Sequence, residues 1–170
     1  KGIGDMTVPV EDPYAMFLGG PGQIAIMRKT TPTPIDMVLF SDSRLYQNNG
    51  GAAVNTTCAI RAYNRDLANN RTIFGEEVAA GRVANLAGVY DYGCNQLGSQ
   101  GGSDTFGGFA TNTSIRMPVG LVTDGTTIYV SDFIDHCIYR IDSTGRIHNF
   151  IGSCGSPGSS DGIGNGNNVT

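Results

Sequence analysis

The sequence predicts an all-β protein of short antiparallel strands, and three observations carry that prediction. Glycine supplies 25 of the 170 residues, and glycine serves tight turns wherever φ must be positive. Val, Ile, Tyr, Phe and Thr gather in short runs between the glycines, as in half-buried strands. No window carries an apolar stripe at helical spacing. The best short candidate, 74–87, is interrupted by Gly75 and Gly81, so no helix is expected there.

Composition narrows the class further. With 39% hydrophobic and only 15% charged residues, the chain has the apolar surface to fold, unlike an acidic disordered segment. A formal charge of −4 argues against nucleic acid, which is held through clustered Lys and Arg, and against an anionic membrane surface. No stretch is apolar enough for a membrane-spanning helix. The opening Lys1-Gly2-Ile3-Gly4 does not read as a leader peptide, and the chain is expected to be a piece of something longer.

An internal repeat organises the strands. Each segment is expected to open on a Pro-led strand, Pro13-Tyr14-Ala15-Met16-Phe17 in one and Pro118-Val119-Gly120-Leu121-Val122 in the other. The second strand is apolar and ends in Ser-Asp: Val38-Leu39-Phe40-Ser41-Asp42 and Ile128-Tyr129-Val130-Ser131-Asp132. The third begins Cys-x-x-Arg, at Cys58 to Arg61 and at Cys137 to Arg140. The fourth reads apolar-x-Asn-apolar-x-Gly, as Val83-Ala84-Asn85-Leu86-Ala87-Gly88 and Ile147-His148-Asn149-Phe150-Ile151-Gly152. Cys-x-x-x-Gly then follows, from Cys94 to Gly98 and from Cys154 to Gly158, with Asp104 and Asp161 shortly after. Five blocks in one order argue for duplication. In the second copy the strands are expected at 119–123, 127–131, 137–142 and 146–151, with turns at Asp124-Gly125 and Asp142-Ser143-Thr144-Gly145. Those are hairpin chemistries, and four antiparallel strands so joined make one propeller blade.

The second copy closely resembles an NHL repeat over nearly all of 113–162, and the first resembles it with insertions over 12–104. Where that family often has Asn before the strand's His, this chain has Asp135 before His136. The resemblance implies two NHL-type blades, 1–111 with long loops and 112–162 compact, followed by the start of another inter-blade segment at 163–170. A propeller closes with roughly four to eight blades. The remaining blades are therefore expected from a longer chain or from other copies of the protein. Three stretches of the first copy are read as insertions: 19–34, the span between Asp42 and Cys58, and the span between Arg61 and Val83. Such insertions fall in loops, either without a role or making contacts.

Four cysteines allow three pairings. The repeat favours Cys58–Cys94 and Cys137–Cys154, with four buried thiols as the plainer alternative. A zinc site lacks the paired Cys-x-x-Cys spacing. A plain hairpin would leave Cys154 about four residues past Cys137, so the chain must fold back near Gly152 and Gly155 to reach disulfide distance. Asn-x-Ser/Thr sequons stand at Asn55, Asn70, Asn112 and Asn168, all in expected loops or inter-blade segments. Thr30-Thr31-Pro32-Thr33-Pro34 suits O-linked sugar or an extended spacer. Disulfides and sequons together point to an oxidising, extracellular setting.

Catalytic chemistry finds little footing. His136 is assigned to blade packing or hydrogen bonding and His148 to the surface. Asp42 and Asp132 are read as acceptors for backbone N–H groups in the turns that follow. No EF-hand pattern is present, the 19–22 glycines lack the Lys-Ser/Thr of a phosphate loop, and Tyr90 and Tyr92 lack basic neighbours for base stacking. Some proteins with this resemblance are lyases with a histidine-rich metal site, and others bind RNA through a basic face; two histidines and a net acidic charge suit neither. No catalytic residue, metal or other cofactor is assigned. The expected function is a non-enzymatic extracellular structural or interaction glycoprotein, in a cell-surface or filamentous assembly. Its expected partners are further copies or blades of the same protein, or an extracellular protein or glycan. The alternatives are a ligand-sensing receptor ectodomain, or a lyase or hydrolase whose catalytic residues lie in other blades.

Overall fold

The computed structural model describes residues 21–30, 34–43, 58–88 and 107–158. Among them the fold is all-β, with one 3-10 turn at Ala110–Asn112 and no α-helix. Sheet I contains β1 (Pro21–Lys29), β2 (Ile35–Ser43), β3 (Cys58–Asn64) and β6 (Val83–Ala87), antiparallel in the order β1-β2-β3-β6. Between β3 and β6 the chain forms a separate hairpin, β4 (Arg71–Ile73) with β5 (Glu76–Val78). Sheet II is an antiparallel meander of β7 (Pro118–Thr123), β8 (Ile128–Asp132), β9 (Cys137–Ile141) and β10 (Ile147–Ile151).

The turns follow from their residues. At β7–β8, Asp124 Oδ1 accepts from the backbone N–H of Thr126 and Thr127, both at 2.7 Å. At β9–β10, Asp142 Oδ1 accepts from the N–H of Thr144 at 2.9 Å and of Arg146 at 3.1 Å. These side-chain bonds replace the ladder bonds that a reversing chain gives up. In the β4–β5 hairpin, Phe74 and Gly75 both have positive φ, 48° and 78°. That is the two-residue turn whose twist matches its strands, and it stands where the best helical candidate began.

Each sheet has two faces because side chains alternate along a strand. We call front the face that carries Phe40 in sheet I and Val130 in sheet II, and back the face that carries Leu39 and Tyr129. The front of sheet II, with Leu121, Val130 and Tyr139, shares one continuous core with the back of sheet I, with Met37, Leu39, Ile60 and Ala62. β7 lies against β1 and β2. Like copies thus stack front to back.

The structure corrects the sequence expectations at several places. The first strand of sheet I is β1, inside the stretch read as an insertion at 19–34; Pro13 to Phe17 lie outside the described residues. β1 is the counterpart of β7 by contact: a Cβ on Gly22 or Gly120 would collide with the hydroxyl of Ser41 or Ser131 respectively. Pro21 faces Asp42 as Pro118 faces Asp132. Residues Thr30 and Pro34 bound the β1–β2 connection, with 31–33 outside the described residues.

The third strand is displaced by one residue. Asp132 faces Cys137, whereas Asp42 faces Ala59. Arg61 is therefore the counterpart of Tyr139 and not of Arg140. A one-residue slip reverses every side chain, so Arg61 is buried while Arg140 is exposed. The fourth strands return to register: Asn85 faces Arg61 and Asn149 faces Tyr139. Each of these asparagines donates from Nδ2 to the carbonyl of its glycine, Gly88 at 2.7 Å and Gly152 at 2.8 Å.

The insertion between Arg61 and Val83 makes contacts and fills space. Ile73, Phe74 and Val78 belong to the common core. At the hairpin tip, a Cβ on Gly75 would stand 2.5 Å from the carbonyl oxygen of Thr144, so the turn of one copy rests on the β9–β10 turn of the other.

Candidate functional site

A buried polar cluster lies at the β8–β9 corner of sheet II. Asp132 ends β8 with its carboxylate turned inward. Its Oδ2 accepts from the backbone N–H of Arg116 and Met117, both at 2.9 Å, and its Oδ1 from Ile134 and Asp135, both at 3.0 Å. One carboxylate thus ties the incoming inter-sheet segment to the corner that leaves β8. This is the backbone-acceptor role expected for it. Asp42, its counterpart, pairs with Arg61 Nη2 at 3.1 Å, both side chains buried; the turn that follows Asp42 lies outside the described residues. The one-residue slip explains this ion pair, since it turns the arginine inward where sheet II has a tyrosine.

Beside Asp132 sits Asp135, also buried. Its Oδ2 accepts from the Tyr139 hydroxyl at 2.6 Å and its Oδ1 from Arg116 Nη1 at 3.1 Å. Burial raises the Asp135 carboxyl above the ordinary carboxylate range, with the charge of Asp132 acting the same way and Tyr139 and Arg116 opposing. The Tyr139 hydroxyl is pushed far above its ordinary value by burial and then by its bond to Asp135. It is held as a donor and cannot serve as a base near neutrality. A perturbed carboxylate in a cleft would suggest catalysis, but Asp135 is only 1% exposed and offers no substrate a path. The cluster positions backbone.

A disulfide braces the same corner. Cys137 and Cys154 are bonded, with Cα atoms 5.1 Å apart. The overshoot of a plain hairpin is removed in two steps. A register shift between Asn149 and Ile151 absorbs Phe150, and the chain then folds back through a turn in which Ser156 N–H donates to Ser153 at 2.9 Å. Gly155 N–H donates to the carbonyl of Asp135 at 2.8 Å. Cys58 is also disulfide-bonded; Cys94 lies outside the described residues.

His136, assigned to blade packing or hydrogen bonding, is exposed, with φ 54° at the corner between Asp135 and Cys137. His148, assigned to the surface, is half-buried, with Nε2 2.9 Å from Asp142 Oδ2. Among the described residues no group of three or more His, Cys, Asp or Glu is placed to hold a metal ion, and no helix is long and apolar enough to cross a membrane.

The sequons at Asn70 and Asn112 are exposed; those at Asn55 and Asn168 lie outside the described residues. Asn70 Oδ1 accepts from Ala80 N–H at 3.0 Å, and its Nδ2 donates to Glu77 at 3.2 Å. A glycan on Nδ2 would leave the first bond in place.

The sequence reading passed over the outward sheet faces. Ile24 and Ile26 stand exposed on the front of β1, and Val122 on the back of β7. Tyr129, Ile138 and Phe150 share that back, with the Tyr129 and Phe150 rings 5.0 Å apart. The signal was present: Ile128-Tyr129-Val130 is apolar on both faces, the pattern of a strand covered on both sides. No protein-family model, curated protein or solved structure matches the chain.

Proposed function

We propose that this chain is a structural or interaction module of an extracellular glycoprotein, its two sheets serving as consecutive NHL-type blades of a propeller and carrying no catalysis of their own. The observation that supports the reading best is the front-to-back stacking of two copies that keep the same Ser-Asp strand end and the same Asn–Gly bond. Radial repetition of one sheet is how propellers are built. The Cys137–Cys154 bond and the exposed Asn70 and Asn112 suit an oxidising compartment where sugars are attached. The polar corner around Asp132 and Asp135 serves this role as a rigid joint. Partners in this reading are further blades or copies of the protein, and extracellular proteins or glycans met through the loops.

The test is intact mass of the protein isolated from its source. Treatment with an N-glycosidase is expected to lower the mass and to leave Asp at positions 70 and 112. Thiols are expected to react with an alkylating reagent only after reduction. A mass untouched by the glycosidase, together with four freely alkylated cysteines, overturns the extracellular reading.

A further inference from the structure

The two sheets share one plan, so their interface shows what each outward face is built to meet. Strand pairing sets the correspondence. Leu121 faces Val130 as Ile24 faces Phe40, so Leu121 and Ile24 are counterparts. By the same pairing Val122 corresponds to Ala25, Tyr129 to Leu39 and Ile138 to Ile60.

Burial divides these pairs cleanly. Leu121 is 9% exposed in the core between the sheets, and its counterpart Ile24 is 63% exposed. Leu39 and Ile60 are fully buried under sheet II, while their counterparts Tyr129 and Ile138 are only half-buried, beside Val122, itself 59% exposed. One end of the stack therefore shows the apolar residues that would enter an interface, and the other shows the apolar residues that would receive them. Contiguous exposed apolar surface of this kind marks an interaction site.

We propose that the back of sheet II, at Val122, Tyr129, Ile138 and Phe150, docks the β1 edge of a second copy of this chain through Ile24 and Ile26. The chains add head to tail. The internal interface is the template: Ile24 of the incoming copy takes the place that Leu121 holds on sheet I, and Val122 takes the place of Ala25. Phe40, Asp42 and Arg61 on the front of sheet I are already buried, so contact is made through β1, as β7 makes it within the chain. Arg140 stands where sheet I has Ala62; its long stem can lie along apolar surface with the guanidinium outward, and arginine is favoured at interfaces. Because the two patches differ, the contact is heterologous, and repetition gives a ring when the rotation closes. The inference rests on the blade reading of the sheets and is independent of the compartment.

Sedimentation velocity over a concentration series tests it. The wild-type chain is expected to pass from monomer to a larger species as concentration rises. Ile24→Glu and Val122→Glu, each at an exposed position, are expected to remain monomeric at every concentration. Mixed in equal amounts, the two variants are expected to form a dimer and nothing larger, because each keeps the patch the other lacks. Ile26→Lys serves as a second head variant where Ile24→Glu does not fold. A folded wild-type monomer at all concentrations overturns the stacking, as do variants that associate like wild type or a mixture that stays monomeric. Circular dichroism separates the two levels: a wild-type chain without strand signal sinks the blade reading itself.

Discussion

At the scale of single residues, two carboxylates in sheet II respond to acid in opposite directions. Asp142 is held well below the ordinary carboxylate range: burial works against this, but the Thr144 hydroxyl, His148 and the backbone N–H groups of Arg146 and Thr144 outweigh it. Asp135 is held above that range by burial and by Asp132. A depressed acid contributes stability above its unfolded value, about 3.9, and that stability is lost as pH falls toward the folded value. A raised acid does the reverse: its contribution is present below about 3.9 and is lost as pH rises through the folded value. Urea unfolding from pH 3 to 7 is therefore expected to show Asp142→Asn losing ground to wild type as pH rises from 3 through about 4, with a constant deficit above that. Asp135→Asn should gain relative to wild type as pH rises above about 4 toward the raised folded value. Two difference curves of the same sign would contradict the assignment. Asp135 lies in the corner quoted from the repeat, but its burial could not be read there, because the groups that enclose it come from Arg116 and Tyr139 on either side.

The elements show which inserted segment matters. The β4–β5 hairpin was legible only as extra length between Arg61 and Val83. Its alternation is short, and its apolar residues, Ile73, Phe74 and Val78, face a core supplied largely by other strands. Its contact with the β9–β10 turn depends on two backbones approaching where no side chain intrudes. Gly75→Ala is expected to destabilise by about 2–4 kcal/mol, combining a backbone collision with positive-φ strain. Gly155→Ala is the control: φ there is also positive, at 84°, but no atom lies within 4 Å of the added carbon. Strain alone should cost about 1–2 kcal/mol. Denaturant midpoints measure both, and equal losses would mean that the hairpin tip carries no packing load. The misplaced first strand has a similar lesson. The strand was expected at Pro13, and the structure places it from Pro21, where Gly22 leaves room for the Ser41 hydroxyl.

Across the whole molecule, the continuous core makes the sheets one cooperative unit. Calorimetry is expected to show a single transition, and hydrogen exchange should show the strands of both sheets losing protection together. Leu121→Ala, which empties space between the sheets, should cost about 2–5 kcal/mol and lower protection in β2 and β3 as well as in β8 and β9. Loss confined to sheet II would mean two separate units. The all-β class, the turns at Asp124 and Asp142, and most of sheet II followed from the amino-acid sequence alone, because alternation and turn chemistry are local. Only the tertiary structure decided the register of β3, the identity of β1, the inward turn of Arg61 and the division of apolar residues into covered and open faces. Each of these depends on which strand lies opposite, and a shift of one residue, invisible in composition, moves a side chain from one face of a sheet to the other.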